Sequence, residues 1–81
     1  MIDNDQAVYK IPAKRNTQVF ARVRDFKGKT LLDLRLFFEK DGDYFPTTKG
    51  VVLDADQIGE LEAAVKALRA ELENRVALKA A

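Results

Sequence analysis

The stretch Val23-Arg24-Asp25-Phe26-Lys27-Gly28-Lys29 is the natural starting point, because two segments of alternating pattern flank it. Residues 17–24 place apolar side chains at every second position, and residues 30–38 do the same with leucine. A period of two indicates β-strands with one apolar face. Gly28 can adopt the positive φ of a tight turn. The sequence therefore predicts an antiparallel hairpin made of residues 17–24 and 30–38.

Turns and two shorter strands are predicted after this hairpin. Residues 40–43 are polar and read as a turn, after which Tyr44 and Phe45 begin a short strand. Pro46 marks that strand as an edge or a bend, because proline cannot donate to a β-ladder. Gly50 then precedes a short fourth strand over residues 51–53.

An amphipathic helix is predicted over Ala55 to about Asn74. Asp54 is a suitable N-cap, and Gln57 follows three residues later as in a capping box. Apolar residues then recur at spacings of three and four, which gives a narrow heptad-like seam. The seam can cover the sheet or pair with its copy in a second subunit. We expect pairing, with the dimer interface at Ile58, Leu61, Val65, Leu68 and Leu72.

The expected fold is α+β, a curved four-stranded antiparallel sheet followed by one C-terminal helix (ββββα). We expect residues 1–16 to form a flexible basic arm that includes a short strand over Val8–Ile11. Residues 17–76 would be the domain and residues 77–81 a tail. A domain of 81 residues without cysteine or histidine has no disulfide or common zinc ligand to stabilise it, so we expect a homodimer.

Charge is unevenly distributed although the net charge is only +1. Residues 10–29 contain seven basic residues and one acid, a local charge of +6, whereas residues 54–75 carry −3. Such a chain can present a positive face to a polyanion. Serine, cysteine and histidine are all absent, and there is no phosphate-binding glycine loop. We therefore expect no enzyme activity, no cofactor and no metal site.

The location is predicted from two absences. The first residues are polar and acidic, unlike a secretory signal, and no apolar run approaches the ~18 residues of a membrane span. We expect a soluble intracellular protein without membrane contact. It would act in the cytoplasm or nucleoid, or in the host cell if a phage encodes it.

The sequence resembles the positive cofactor four family at Arg-Asp-Phe-Lys-Gly-Lys (residues 24–29), Leu-Asp-Leu-Arg (residues 32–35) and Lys-Gly-Val-x-Leu (residues 49–53). These proteins are transcriptional coactivators with a C-terminal domain that binds single-stranded DNA, and the resemblance covers about residues 17–73. It implies a dimer whose paired ridges hold single-stranded DNA or an opened duplex. The missing serine-rich region favours a short bacterial or phage form.

The resemblance also implies roles for individual residues. Phe26 and Phe38 would stack on bases, although the family usually has tryptophan at the second position. The residues that would contact phosphates are Lys27, Lys29, Arg35 and Lys49, with Arg24 a weaker candidate. Thr17 and Thr48 stand where the family often has basic residues, so we expect weaker phosphate contact at these two positions.

The residues support the same chemistry independently, because cations follow phosphates and aromatic rings stack on exposed bases. Further candidate contacts are Lys14, Arg15, Phe20, Arg22 and Phe37. Alternatives remain for several of these side chains. Phe26 could pack in the core, Arg35 could pair with Asp33, and Tyr44 and Phe45 could be edge-strand packing.

The alternation of side chains between the two faces of a strand raises one conflict within the predicted site. Arg35 and Phe38 point to opposite faces of a regular strand, so both meet DNA only if the strand bulges near residues 36–38. Either the strand is irregular there or one of the two assignments fails.

The function predicted from these observations is sequence-independent binding of single-stranded DNA by a homodimer, in replication, recombination, repair or transcription. The alternative is a coactivator-like adaptor that binds polymerase or a replication protein. RNA binding is a third option, because stacking does not require deoxyribose.

Overall fold

The computed structural model describes residues 7–80. Four strands form one antiparallel sheet in the order β1-β2-β3-β4, and a helix follows. The strands are β1 (Ala7–Pro12), β2 (Thr17–Phe26), β3 (Lys29–Lys40) and β4 (Asp43–Asp54). A 3₁₀ turn (Ala55–Gln57) leads into α1 (Ile58–Ala80). The expected four-stranded antiparallel sheet with one C-terminal helix is therefore confirmed.

Two tight turns set the register of the sheet. Lys27 and Gly28 have φ of 51° and 80°, and Asp41 and Gly42 have φ of 55° and 84°. Positive φ at both central residues defines the type I′ hairpin turn, whose twist matches that of the flanking strands. Phe26 consequently pairs with Lys29, and the ladder between β2 and β3 continues without interruption to Thr17 and Phe38.

The sheet has two chemically distinct faces. We call the first the charged face. It carries every second residue of β2 and β3, and residues that pair directly, such as Arg22 and Asp33, lie on the same face. The second, the apolar face, carries the residues between them. The charged face comprises Phe20, Arg22, Arg24, Phe26, Leu31, Asp33, Arg35 and Phe37; the apolar face comprises Val19, Ala21, Val23, Leu32, Leu34 and Leu36.

β4 is one long strand with an irregularity, whereas we expected two short strands. Its register against β3 shifts between Arg35 and Phe37, where residues 47–49 form a bulge. The Thr47 hydroxyl donates to the Leu36 carbonyl at 2.7 Å, which anchors the bulge. Beyond it, a Cβ on Gly50 would lie 2.6 Å from the Leu34 carbonyl oxygen, so only glycine fits at this close approach of two strands.

α1 begins as expected and ends later. The Asp54 amide donates to the Gln57 side chain at 3.1 Å, as in the predicted capping box. Ile58 and Leu61 line a small apolar cavity of about 170 Å³ against the apolar face of the sheet. Every later residue up to 79 is exposed in the single chain. Within residues 7–80, no helix has the length and hydropathy needed to cross a membrane.

The ends of the predicted domain need correction. Residues 7–12 are a strand that pairs with β2, so residues 7–16 belong to the sheet and its first turn rather than to a flexible arm. The short strand predicted over Val8–Ile11 is confirmed as part of β1. Residues 77–80 continue α1 rather than forming a tail. Residues 1–6 of the expected arm and residue 81 of the expected tail lie outside the described residues.

Candidate nucleic-acid interface

The turn between β2 and β3 gathers cations around an exposed aromatic ring. Phe26 is 56% exposed, and the Lys27 ammonium lies 5.3 Å from the centre of its ring. Lys29 pairs with Phe26 across the hairpin and is also exposed. Arg24 lies two residues before Phe26 on the charged face. We call these four residues, Arg24, Phe26, Lys27 and Lys29, the tip patch.

A buried carboxylate organises the arginines behind the tip patch. Asp33 is 1% exposed, and its carboxylate is ion-paired with Arg22. Arg24 Nη1 lies 3.5 Å from Asp33 Oδ2, and Arg35 Nε lies 3.2 Å from Asp33 Oδ1. Burial alone would raise the pKa of Asp33, but the hydrogen bond and charge of Arg22, together with Arg35, hold that pKa below its ordinary value of 3.8. One carboxylate therefore balances three guanidinium groups, and the cluster stays cationic.

Three of the further candidate contacts lie inside the protein. Phe20 and Phe37 are fully buried and stack on each other with ring centres 4.1 Å apart. Arg22 is 4% exposed, with its guanidinium 5.0 Å from the Phe37 ring. We correct the earlier expectation accordingly: neither ring has a free face for a base, and this arginine belongs to the core of the charged face.

Phe38 lies far from the tip patch and on the opposite face. It follows Phe37 on β3, whose ladder with β2 is regular here, so the bulge that would have turned Phe38 toward Arg35 is absent from β3. The irregularity is on β4 instead. Phe38 is 40% exposed and lies 5.6 Å from Phe45, ring centre to ring centre. Nine residues of strand separate it from Lys29, a span of about 30 Å.

A second group of side chains, two of them basic and exposed, lies near Phe38. Thr17 pairs with Phe38, and the Asn16 carbonyl accepts from the Glu39 amide at 2.7 Å, so the turn after β1 lies beside this end of β3. That turn carries Lys14 and Arg15, both exposed. We call Lys14, Arg15, Phe38 and Phe45 the far patch. The predicted contacts of the tip patch thus lie at the opposite end of β3 from Lys14, Arg15 and Phe38.

Arg35 and Lys49 meet at the bulge of β4. Arg35 Nη1 donates to the Thr47 carbonyl at 3.0 Å, and the Lys49 amide donates to the Thr47 hydroxyl at 3.1 Å. Arg35 is largely covered and holds the bulge, while Lys49 is exposed on it. Arg35 also pairs with Asp33, but the two residues lie on the same strand, so the cross-strand ion pair considered for Arg35 is not the one that forms.

Sequence reasoning missed the central role of Asp33, although a signal was available. The two-residue turn at residues 27–28 fixes the register of the hairpin. Each residue of β2 then pairs with the residue of β3 for which the two residue numbers add up to 55, so Asp33 lies opposite Arg22. It also missed Leu31 and Val52, which line a cavity beside Arg24 and Phe26. The packing alternative for Tyr44 is supported, since its ring lies 5.5 Å from that of Phe20 and its hydroxyl accepts from Gln18 at 3.2 Å.

Known proteins share this arrangement of strands and helix. Two crystal forms of BPSL1147, a PC4 homologue from Burkholderia pseudomallei K96243, have TM-scores of 0.72 and 0.71 at 17% identity; each covers 78% of this chain, and the chain covers 86% and 94% of theirs. A MoSub1–ssDNA complex has a TM-score of 0.59 at 27% identity, over 82% of this chain and 77% of that one.

Sequence comparison points the same way. The chain is 34% identical over 55 residues to the RNA polymerase II transcriptional coactivator KELP of Arabidopsis thaliana, a match that covers 68% of this chain and 31% of that protein. The chain thus spans about a third of the length of this curated relative. The family model for Transcriptional Coactivator p15 (PC4) matches residues 13–64, which is more than half of the chain. The chain therefore belongs to the PC4 family.

Proposed function

We propose that this chain binds single-stranded DNA without strong dependence on sequence, and that the tip patch is its principal contact. The observation that carries the proposal is Phe26, an aromatic ring 56% exposed at the end of a hairpin, with Lys27 in the turn and Lys29 directly after it. An exposed ring can stack on a base, and the lysines can follow the phosphates on either side of that base. The MoSub1–ssDNA complex, with its related fold, supports the proposal.

Single strands suit this surface better than duplex DNA. Stacking requires an exposed base face, and a duplex hides its base faces between neighbouring pairs. Direct reading of a duplex usually needs a helix or a β-ribbon that enters the major groove. The helix available here, α1, carries both acidic and basic residues and an apolar seam. RNA remains an alternative ligand, because stacking does not distinguish the sugars.

A homodimer is the second part of the proposal. Ile58, Val65, Leu68 and Leu72 are each about half or more exposed in the single chain, which is unusual for a regular row of apolar side chains. Pairing two copies of α1 through this seam, with Leu61, would cover it. A dimer would also present two tip patches and two far patches, so that a strand could meet Phe26 of one subunit and Phe38 of either.

Lys49, on the bulge of β4, is the remaining phosphate contact that we propose. Arg35 would act indirectly, since its side chain holds the bulge from which Lys49 projects. We leave Phe20, Arg22 and Phe37 out of the proposed interface because they are buried.

The process served by this binding is proposed from the family. The match to a transcriptional coactivator favours transcription, in the cytoplasm or nucleoid or in a host cell if a phage encodes the protein, and the same binding would suit replication, recombination or repair. A second candidate function is an adaptor that binds polymerase or a replication protein. The acidic residues of α1 favour that candidate, because carboxylates outside the seam can attract a basic surface of a partner.

Substitution of Phe26 tests the proposed contact. Phe26→Ala removes the stacking ring, and because each stacked base contributes about 1–3 kcal/mol, we expect oligo-dT affinity to fall by about tenfold to a hundredfold. Fluorescence anisotropy measures the affinity, and circular dichroism checks the fold. Tyr9→Ala is the matched control, since Tyr9 is an exposed aromatic residue on β1, outside both patches. Unchanged affinity in Phe26→Ala, or an equal loss in Tyr9→Ala, would show that the tip patch is not the contact.

A further inference from the structure

A cavity of about 230 Å³ opens on the charged face next to the tip patch. Its lining consists of Arg24, Phe26, Leu31, Asp33 and Val52. These residues come from three adjacent strands and share one face, since Arg24 pairs with Leu31 and Asp33 pairs with Val52. The cavity is smaller than the 300–1,000 Å³ typical of sites for drug-sized ligands. Its size therefore suits one small ring system.

The lining combines apolar surface with one source of hydrogen-bond donors. Leu31 and Val52 provide aliphatic contact, and Phe26 provides an aromatic wall. Asp33 is 1% exposed and already engaged by arginines, so its carboxylate has little surface to offer a ligand. Arg24 is 45% exposed, and its contact with Asp33 holds one end of the guanidinium at the cavity. The ligand that fits is flat, apolar on its faces, and carries acceptors along one edge.

We infer that this cavity takes one unstacked base of the bound strand and prefers guanine. Guanine presents O6 and N7 as adjacent acceptors, the pattern that an arginine guanidinium matches with two parallel hydrogen bonds. Adenine offers N7 beside an amino donor, which opposes the donors of Arg24. Bases of single strands expose these edges when they are splayed out of a stack. The inference rests on the proposed function, because it adds a preference at one position to an otherwise sequence-tolerant contact.

The test uses the intact protein and four fluorescent single-stranded probes. Each probe is a short oligo-dT with one central substitution: guanine, 7-deazaguanine, adenine or none. We expect the guanine probe to bind about five- to tenfold tighter than the adenine probe, near the low end of what one such arginine–guanine pair contributes. The 7-deazaguanine probe, which lacks the N7 acceptor, should bind with intermediate affinity.

Two variants connect the preference to the cavity, and a third serves as control. Arg24→Met keeps the aliphatic stem and removes the donors, and Val52→Phe fills the cavity without changing charge. Both variants should bring the ratio of the affinities for the guanine probe and the adenine probe close to one. Lys40→Met removes one exposed positive charge at the other hairpin and should leave the ratio unchanged. Because Val52→Phe and Arg24→Met act on different strands, a folding defect in one leaves the other informative.

The outcomes separate the base site from the proposed function. Equal affinity of the wild-type protein for all probes, with oligo-dT binding intact, would overturn the base site alone. A guanine preference that persists in both Arg24→Met and Val52→Phe would also overturn it. Failure to bind any single-stranded probe would overturn the proposed function, and the base site with it.

Discussion

Asp33 determines how the charged face is arranged. Without a carboxylate at this position, the guanidinium groups of Arg22, Arg24 and Arg35 would repel one another on adjacent strands. With it, Arg22 is held inside the sheet, Arg24 is held at the edge of the cavity, and Arg35 reaches the bulge of β4. A single buried acid thus holds Arg24, which the proposed function uses at the surface, and Arg35, which holds the bulge that carries Lys49.

Replacement of Asp33 should destabilise the protein strongly. Asp33→Asn removes the negative partner of a buried ion pair, for which we expect a loss of about 3 kcal/mol in the free energy of unfolding. Urea unfolding at neutral pH measures the loss. Asp43→Asn, at an exposed position in the second hairpin, is the control and should change the free energy of unfolding by less than about 0.5 kcal/mol. A similar small effect in Asp33→Asn would contradict the role of Asp33.

The same carboxylate predicts a pH dependence. The pKa of Asp33 is lower in the folded protein than the 3.8 of an unperturbed aspartate, so the folded state binds this proton less readily than the unfolded state does. Its contribution to stability is complete above the unfolded value and is lost as the pH falls through the folded pKa. Urea unfolding across the acid range should therefore show the wild-type protein and Asp33→Asn converging below pH 3.8. A constant difference down to the lowest pH would contradict this assignment.

The β2–β3 hairpin combines a structural strain with the proposed contact. Lys27 adopts a φ of 51°, which costs energy for a residue other than glycine, asparagine or aspartate. Asn-Gly is the sequence that best suits a type I′ turn, so lysine is not the residue that stability would select there. A contact between its ammonium and DNA would account for its presence.

Lys27→Asn should weaken DNA binding without lowering the stability of the protein. Asparagine suits the positive φ, so we expect the free energy of unfolding to rise by about 0.5 kcal/mol or stay level. The loss of one phosphate contact should weaken binding and reduce the slope of log K against log salt by about 0.7. Asp41→Asn makes the corresponding change in the other type I′ turn and should not weaken binding. Unchanged salt dependence in Lys27→Asn would exclude Lys27 from the interface.

The elements differ in how far the sequence alone could predict them. Alternation over residues 17–38 and the recurrence of apolar residues from Ile58 are local patterns, and both elements form as expected. The prediction of two short strands in place of β4 was wrong. Pro46 and Gly50 normally interrupt strands, whereas here a bulge between them accommodates the change of register. Whether a residue such as Phe20 is buried or available to DNA depends on packing from other strands, which no local pattern records.

The part of the chain that the structure describes, residues 7–80, has no closed hydrophobic core. Among the described residues, only Phe20 and Phe37 are buried apolar side chains, and both lie on the charged face. The apolar face and the seam of α1 remain partly open, with Leu68 64% exposed. Exposed apolar surface of this regularity is typical of a protein interface. This exposed apolar surface supports the proposed homodimer.

A charge in the seam should dissociate the proposed dimer. Leu68→Glu would bury a carboxylate between two copies of α1, so we expect sedimentation velocity to give a monomer at micromolar concentration where the wild-type protein gives a dimer. Ala70→Glu introduces the same charge outside the seam and should remain dimeric. A wild-type monomer under these conditions, or a Leu68→Glu dimer, would contradict the pairing of α1.

An exposed aromatic ring among cations should bind single-stranded DNA in preference to duplex DNA, and a comparison of the two across a salt series measures that preference. We expect fluorescence anisotropy to show tighter binding of oligo-dT than of a duplex of equal length at every salt concentration. The slope of log K against log salt should be about −2 for oligo-dT, as three phosphate contacts by Lys27, Lys29 and Lys49 would give. Equal affinity for the two forms of DNA would contradict stacking on Phe26 and with it the account given for the tip patch.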